Sequence, residues 1–152
     1  MNRIDIDLET LKESKRGSLG TLLDKQGHTS IAIRNKDNLI KIDKELLTRI
    51  GLFGIKLDKD LKAYNNRKIE LLNHLDSIRD NFKLIDLPHT EIYCNNVLVG
   101  TIGKYYEDSK DIFQIMYLDE IERQRKVIEA LDIFRELELN KIVYVDIHTG
   151  NF

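Results

Sequence analysis

From about residue 58 to residue 82 the chain repeats apolar residues at helical spacing. Leu61, Tyr64, Leu71, Leu75, Ile78 and Phe82 recur with Leu72 beside them and charges between, which predicts one long amphipathic helix. On either side the pattern is that of strands. Upstream, residues 19–23, 30–34 and 39–42 are short apolar pieces, with Ile31, Ile33, Leu39 and Ile40 among them. They are parted by Asp24-Lys25-Gln26-Gly27 and Asn35-Lys36-Asp37-Asn38, which read as turns of a three-stranded antiparallel meander. Residues 44–50 suit a short helix ended by Gly51. Downstream, residues 84–87, 91–94 and 97–105 surround Pro88-His89 and Asn95-Asn96, the latter a natural hairpin tip, and supply two more strands. A second helical stripe, Ile121, Val127, Ile128, Leu131, Phe134 and Leu137, covers residues 119–139, and a short apolar strand over 141–147 follows. The expected class is α+β, with a five-stranded antiparallel sheet and one long helix packed on it.

Composition narrows the function. A length of 152 residues suits one compact unit, and 41% apolar with 33% charged residues is ordinary globular usage. The 24 basic and 26 acidic residues leave a net charge of -2 without a long run of one sign, so nucleic acid is not an expected partner. The start of the chain lacks the apolar core of a signal peptide, and no run reaches the length of a membrane span. The lone Cys94 cannot form an internal disulfide and reads as an inert packed thiol. A cytoplasmic protein without membrane contact is the expectation. His28, His74 and His89 have no metal-ligand spacing.

The sharpest chemical signal is Val143-Tyr144-Val145-Asp146-Ile147-His148-Thr149-Gly150-Asn151-Phe152. An aspartate at the end of an apolar strand, followed five positions on by an asparagine, provides what phosphoryl transfer requires. The carboxylate orients the attacking hydroxyl, and the amide oxygen helps hold Mg²⁺ on the nucleotide phosphates. A metal site of a hydrolase at Asp146 and His148 is the chemical rival, and no second ligand cluster accompanies it. Lys41, in Leu39-Ile40-Lys41-Ile42, is a cation in an apolar strand, where an unpaired buried ammonium is costly. It calls for an anionic partner, or else for an edge position with its head in solvent.

Asp146, His148, Gly150 and Asn151 stand at the positions of Asp-x-His-x-Gly-Asn, and here the chain resembles the protein-kinase-like superfamily. The likeness is to its atypical and aminoglycoside-phosphotransferase-like branches. Tyr144 departs from the histidine common two positions before the aspartate. The resemblance implies a kinase-like amino-terminal lobe over residues 1–106. Over 107–152 it implies a hinge, a long helix and the catalytic loop of a carboxy-terminal lobe, with the polar run Glu-Asp-Ser-Lys-Asp over 107–111 at the junction. It makes Asp146 the catalytic aspartate, Asn151 a metal ligand, and Lys41 the lysine on the α- and β-phosphates. Lys41 would pair with Glu70 of the long helix; Asp76 and Glu45 are the other carboxylates considered, and Glu70 read singly is a solvated helix-face charge.

Gly27 and Ser30 are the expected phosphate contacts of a sparse glycine loop, unless the segment is an ordinary hairpin turn; Gly17 and Gly20 belong to a turn before it. Backbone groups over 100–106 would meet the adenine, with Tyr105 and Tyr106 near them or packed. The implied function is ATP- and Mg²⁺-dependent transfer of a γ-phosphate to a hydroxyl of a protein or small molecule. The resemblance covers residues 20–152, short of the second metal-binding aspartate, so an incomplete catalytic domain is expected. It would be a truncated piece of a longer enzyme, a split enzyme completed by another chain, or a non-catalytic, pseudokinase-like interaction module able to form a homodimer.

Overall fold

The computed structural model describes residues 1–24, 29–53, 57–107 and 117–142. These divide into two compact units, one of Met1–Ser77 with Leu87–Tyr105, the other of Ile78–Asp86 with Tyr106–Phe152.

The first unit is built on six strands, β1 (Asn2–Asp5), β2 (Thr21–Leu22), β3 (Ser30–Asn35), β4 (Asn38–Asp43), β5 (Thr90–Cys94) and β6 (Val97–Lys104), in the spatial order β1-β5-β6-β4-β3-β2. The meander β2-β3-β4 and the hairpin β5-β6 are antiparallel. The expected five-stranded antiparallel sheet is corrected by β1, which lies parallel to β5 at the edge and makes the sheet six-stranded and mixed. All four residues of β1 are exposed, so it lacks the buried alternation by which a strand is read. Residues 84–87 are not a strand in the structure.

Turn chemistry fixes the hairpins. Cys94 faces Val97 across Asn95 and Asn96, both with positive φ (48° and 64°), the backbone of a type I′ turn that asparagine tolerates. Gly100 lies where β6 and β4 come closest; a Cβ there would stand 2.5 Å from the Lys41 carbonyl oxygen.

Each helix opens on an aspartate. Asp7 caps α1 (Leu8–Glu13), Asp43 caps α2 (Lys44–Phe53), Asp58 caps α3 (Lys59–Ser77) and Asp119 caps α4 (Glu120–Leu139). Their carboxylates accept the amides of Thr10, Leu46, Leu61 and Glu122 at 2.7–3.0 Å, satisfying donors that the first turn leaves without partners.

Strand alternation sorts the side chains to two faces. Ile31, Ile33, Ile40 and Ile42 are paired across β3 and β4 on one face and join Leu46, Leu47 and Ile50 of α2 and Leu11 of α1 in the main core. On the other face Leu72 of α3 packs with Tyr93 and Leu98 in a smaller cluster. There the β5-β6 register shifts between Ile92 and Tyr93, and buried Asn65 clasps the irregular strand. Its amide donates to the Leu98 carbonyl at 2.8 Å, and its oxygen accepts the Leu98 N–H at 3.3 Å. The expected helical stripe therefore divides: Leu61, Asn65 and Leu72 are buried, while Tyr64 and Leu71 stay partly open beside the sheet.

In the second unit α4 receives the segment after α3. The Glu136 carboxylate accepts the amides of Lys83 and Leu84, at 2.6 and 3.1 Å. Among its described residues α4 buries none fully, and Ile121, Ile128 and Leu131 are 82%, 58% and 60% exposed.

Candidate functional site: a cleft between the sheet and the long helix

Lys41 and Asp43 follow each other on the β4 face opposite Ile40 and Ile42. With α3 crossing that face, the space between strand and helix is a cleft of about 320 Å³. It is lined by the polar residues Lys41, Asp43, Lys68, Ser30 and Thr101 together with the apolar Leu71, Leu72, Pro88 and Leu98. An adjoining cavity of about 360 Å³ shares Thr29, Asp43 and Tyr64 and continues along the start of α2.

Asp43 organises the polar lining. It is buried, and both of its oxygens are engaged: Oδ1 accepts the Leu46 amide at 3.0 Å, and Oδ2 accepts the Tyr64 hydroxyl at 2.9 Å and Lys68 Nζ at 2.7 Å. One carboxylate thus joins the end of β4, the first turn of α2 and the middle of α3. Burial pushes its carboxyl up, but the hydrogen bonds from Lys68, the Leu46 amide and Tyr64, with the Lys68 charge, outweigh this and hold it below the ordinary carboxylate range. The Tyr64 phenol is pushed up to about 12, first by burial and then by its bond to Asp43 and the nearby negative charge. Lys68 also stands 5.4 Å from the centre of the Tyr64 ring, a cation–π contact that helps fix its head.

Of the residues expected from the sequence, Lys41 and Ser30 both line this cleft. Lys41 is exposed and forms no ion pair among the described residues; its side chain is solvated as one reading expects, but β4 lies inside the sheet between β6 and β3 and is not the edge strand of that reading. The expected Lys41–Glu70 pair is not formed. Glu70 lies on the outer face of α3, because a helix that buries Asn65 and Leu72 turns position 70 to solvent. The other two carboxylates are engaged elsewhere, Asp76 with the amino group of Met1 and Glu45 with Arg49. The ion pair between strand and helix has the opposite polarity: β4 supplies the carboxylate of Asp43 and α3 the ammonium of Lys68. Gly27, Asp146, His148 and Asn151 lie outside the described residues. Among the described residues no group of His, Cys, Asp and Glu side chains is arranged to hold a metal ion.

Asp43, Tyr64 and Lys68 were not singled out by sequence reasoning. Two weak signals pointed to them. Asp43 directly precedes a helical stretch, as an N-cap does, and Lys68 follows Tyr64 by four positions, the spacing of neighbours on one helix face.

Comparison with known proteins gives no matching family model, no matching curated protein and no matching solved structure. No helix among the described residues is long and apolar enough to cross a membrane.

Proposed function

We propose that this chain is the nucleotide-binding part of an ATP-dependent phosphotransferase of kinase-like fold. The observation that carries the reading is Lys41, an ammonium without an ion-pair partner among the described residues, on the third strand of the meander and lining a cleft with Ser30 and Thr101. A lysine without a counter-charge among the described residues, in a cleft that also holds hydroxyl and apolar side chains, suits a ligand that is anionic at one end and apolar at the other. The order of parts after β1 and α1 is compatible with the same reading: three strands, the short α2, the long α3, two strands and α4. On that reading Asp146 orients the hydroxyl acceptor and Asn151 contributes to holding Mg²⁺.

The test is a thermal-shift titration with Mg²⁺ and ATP on the wild type and on Lys41→Ala. Lys41 is exposed and has no ion-pair partner among the described residues, so the substitution leaves the fold intact. Stabilisation of the wild type that is lost in the variant is the expected result. No shift at millimolar ATP, or an equal shift in both proteins, overturns the reading. Asp146→Ala is expected to abolish phosphotransfer, and full activity would remove the assignment.

A second reading, a non-catalytic interaction module, is favoured by one specific observation. Ile121, Val127, Ile128 and Leu131 leave an apolar face open along α4, and monomers rarely expose such patches. This reading predicts no response to ATP and a sedimentation behaviour that depends on concentration and is altered by Leu131→Glu.

A further inference from the structure

The structure assigns a second phosphate-binding cation: we propose that the polyphosphate of the ligand is held between Lys41 of β4 and Lys68 of α3, with Asp43 and Tyr64 as positioning residues. The proposal rests on the nucleotide-binding reading above.

The argument begins with donor capacity. An ammonium carries three N–H donors. Lys68 directs one to Asp43 and keeps the others, whereas Lys41 makes no hydrogen bond or ion pair among the described residues. The Asp43 carboxylate is offset by its ion pair with Lys68, and its oxygens already accept the Leu46 amide, the Tyr64 hydroxyl and Lys68 itself. Two ammonium groups and one carboxylate leave the lining of the cleft with one excess positive charge and with ammonium donors that no side chain among the described residues takes up.

Geometry supports the same assignment. The Lys68 side chain remains 33% exposed although it is ion-paired, and it lines the same cleft as Lys41. Its bond to Asp43 and its stacking on Tyr64 restrict its head before any ligand arrives, which lowers the ordering cost of binding. A helix glutamate at this place would only have braced Lys41. A helix lysine braced by a strand aspartate places a second cation on the ligand. Leu71, Leu72, Pro88 and Leu98 complete the lining, so the ligand class is a nucleoside di- or triphosphate, with the phosphates on the lysines and the apolar group against these side chains.

The experiment is calorimetric titration of the full chain with Mg²⁺-ATP and, separately, with inorganic tripolyphosphate. It compares the wild type with Lys41→Gln, Lys68→Gln and Lys68→Arg. Glutamine keeps an N–H donor at position 68 while removing the charge, and melting without ligand verifies that each variant folds. Loss of one charge-assisted contact is expected to raise Kd for both probes about tenfold or more in each glutamine variant, while Lys68→Arg stays near the wild type. If Lys41→Gln weakens binding and Lys68→Gln does not, Lys68 is only a brace: this inference falls and the nucleotide reading stands. If Lys68→Gln weakens binding and Lys68→Arg fails to restore it, the effect is structural and the inference falls likewise. If neither probe binds the wild type, both fall together.

Discussion

Replacing Asp43 removes three hydrogen bonds whose donors lie on two helices, one on α2 and two on α3, so its effect can be worked out from the structure. In Asp43→Ala, α2 loses its N-cap, a loss of about 1 kcal/mol. The partly buried Tyr64 hydroxyl loses its acceptor, about another 1 kcal/mol. Lys68 loses its counter-charge; because its side chain is a third exposed, water offsets much of this, and about 1 kcal/mol remains. The total of about 3 kcal/mol corresponds to a fall in Tm of roughly 6–12 °C for a chain of this size. Asp43→Asn keeps an oxygen for the Leu46 amide and loses the charge, so it should fall between the wild type and alanine, near 2 kcal/mol by the same reasoning.

Urea unfolding followed by circular dichroism measures both, and a double-mutant cycle with Lys68→Met isolates the ion pair. The pH dependence carries its own sign. The carboxyl is held lower in the folded protein than in the unfolded chain, so its contribution is present above about pH 4 and is lost as pH falls through the folded value. In Asp43→Asn that acid-side loss should be smaller. Asp43→Ala within about 0.5 kcal/mol of the wild type, or a cycle with no coupling, would refute the claim that this carboxylate ties β4, α2 and α3 together.

Asn65→Leu should destabilise by about 2–3 kcal/mol, because the N–H and C=O of Leu98 stay buried without their partners. Faster hydrogen exchange at the Leu98 amide would accompany it, and an unchanged urea midpoint would contradict the clasp. Cys94 is fully buried, with its thiol pushed up by burial and by the negative charge of Asp7. It should resist thiol reagents at mildly alkaline pH in the native protein and react in denaturant; rapid native labelling would show that β5 is not packed as described.

The candidate site was only partly legible in the sequence. Lys41 stands out because a charge inside an apolar strand is conspicuous, and Ser30, expected with Gly27 as a phosphate contact, lines the same cleft. The partner was misread, since which carboxylate or cation an α-helix turns toward a strand depends on the rotation of the helix about its axis. That rotation follows from Asn65 and Leu72 seeking the sheet, not from any local feature of Glu70 or Lys68. Asp43 and Lys68 are 25 positions apart, and their meeting exists only once β4 and α3 are packed.

The elements themselves were largely determined locally. Apolar alternation with Asn and Asp turns specified the meander, apolar runs around the Asn95-Asn96 tip specified the β5-β6 hairpin, and period-3.6 stripes specified α3 and α4. In the β3-β4 pair a one-residue slip would move Ile31, Ile33, Ile40 and Ile42 off the core face, so there the sequence nearly fixes which face is buried. It could not specify β1. Asn2–Asp5 is short, polar and exposed, and it is a strand because β5 offers an unpaired edge, where Arg3 settles 4.1 Å from the Tyr93 ring centre. Such pairing is chosen by hydrogen-bonding groups that no local pattern displays. The sheet's mixed character, the roll of α3 and the polarity of the Asp43–Lys68 pair were decided by tertiary structure, because each depends on which distant surface reaches a given element.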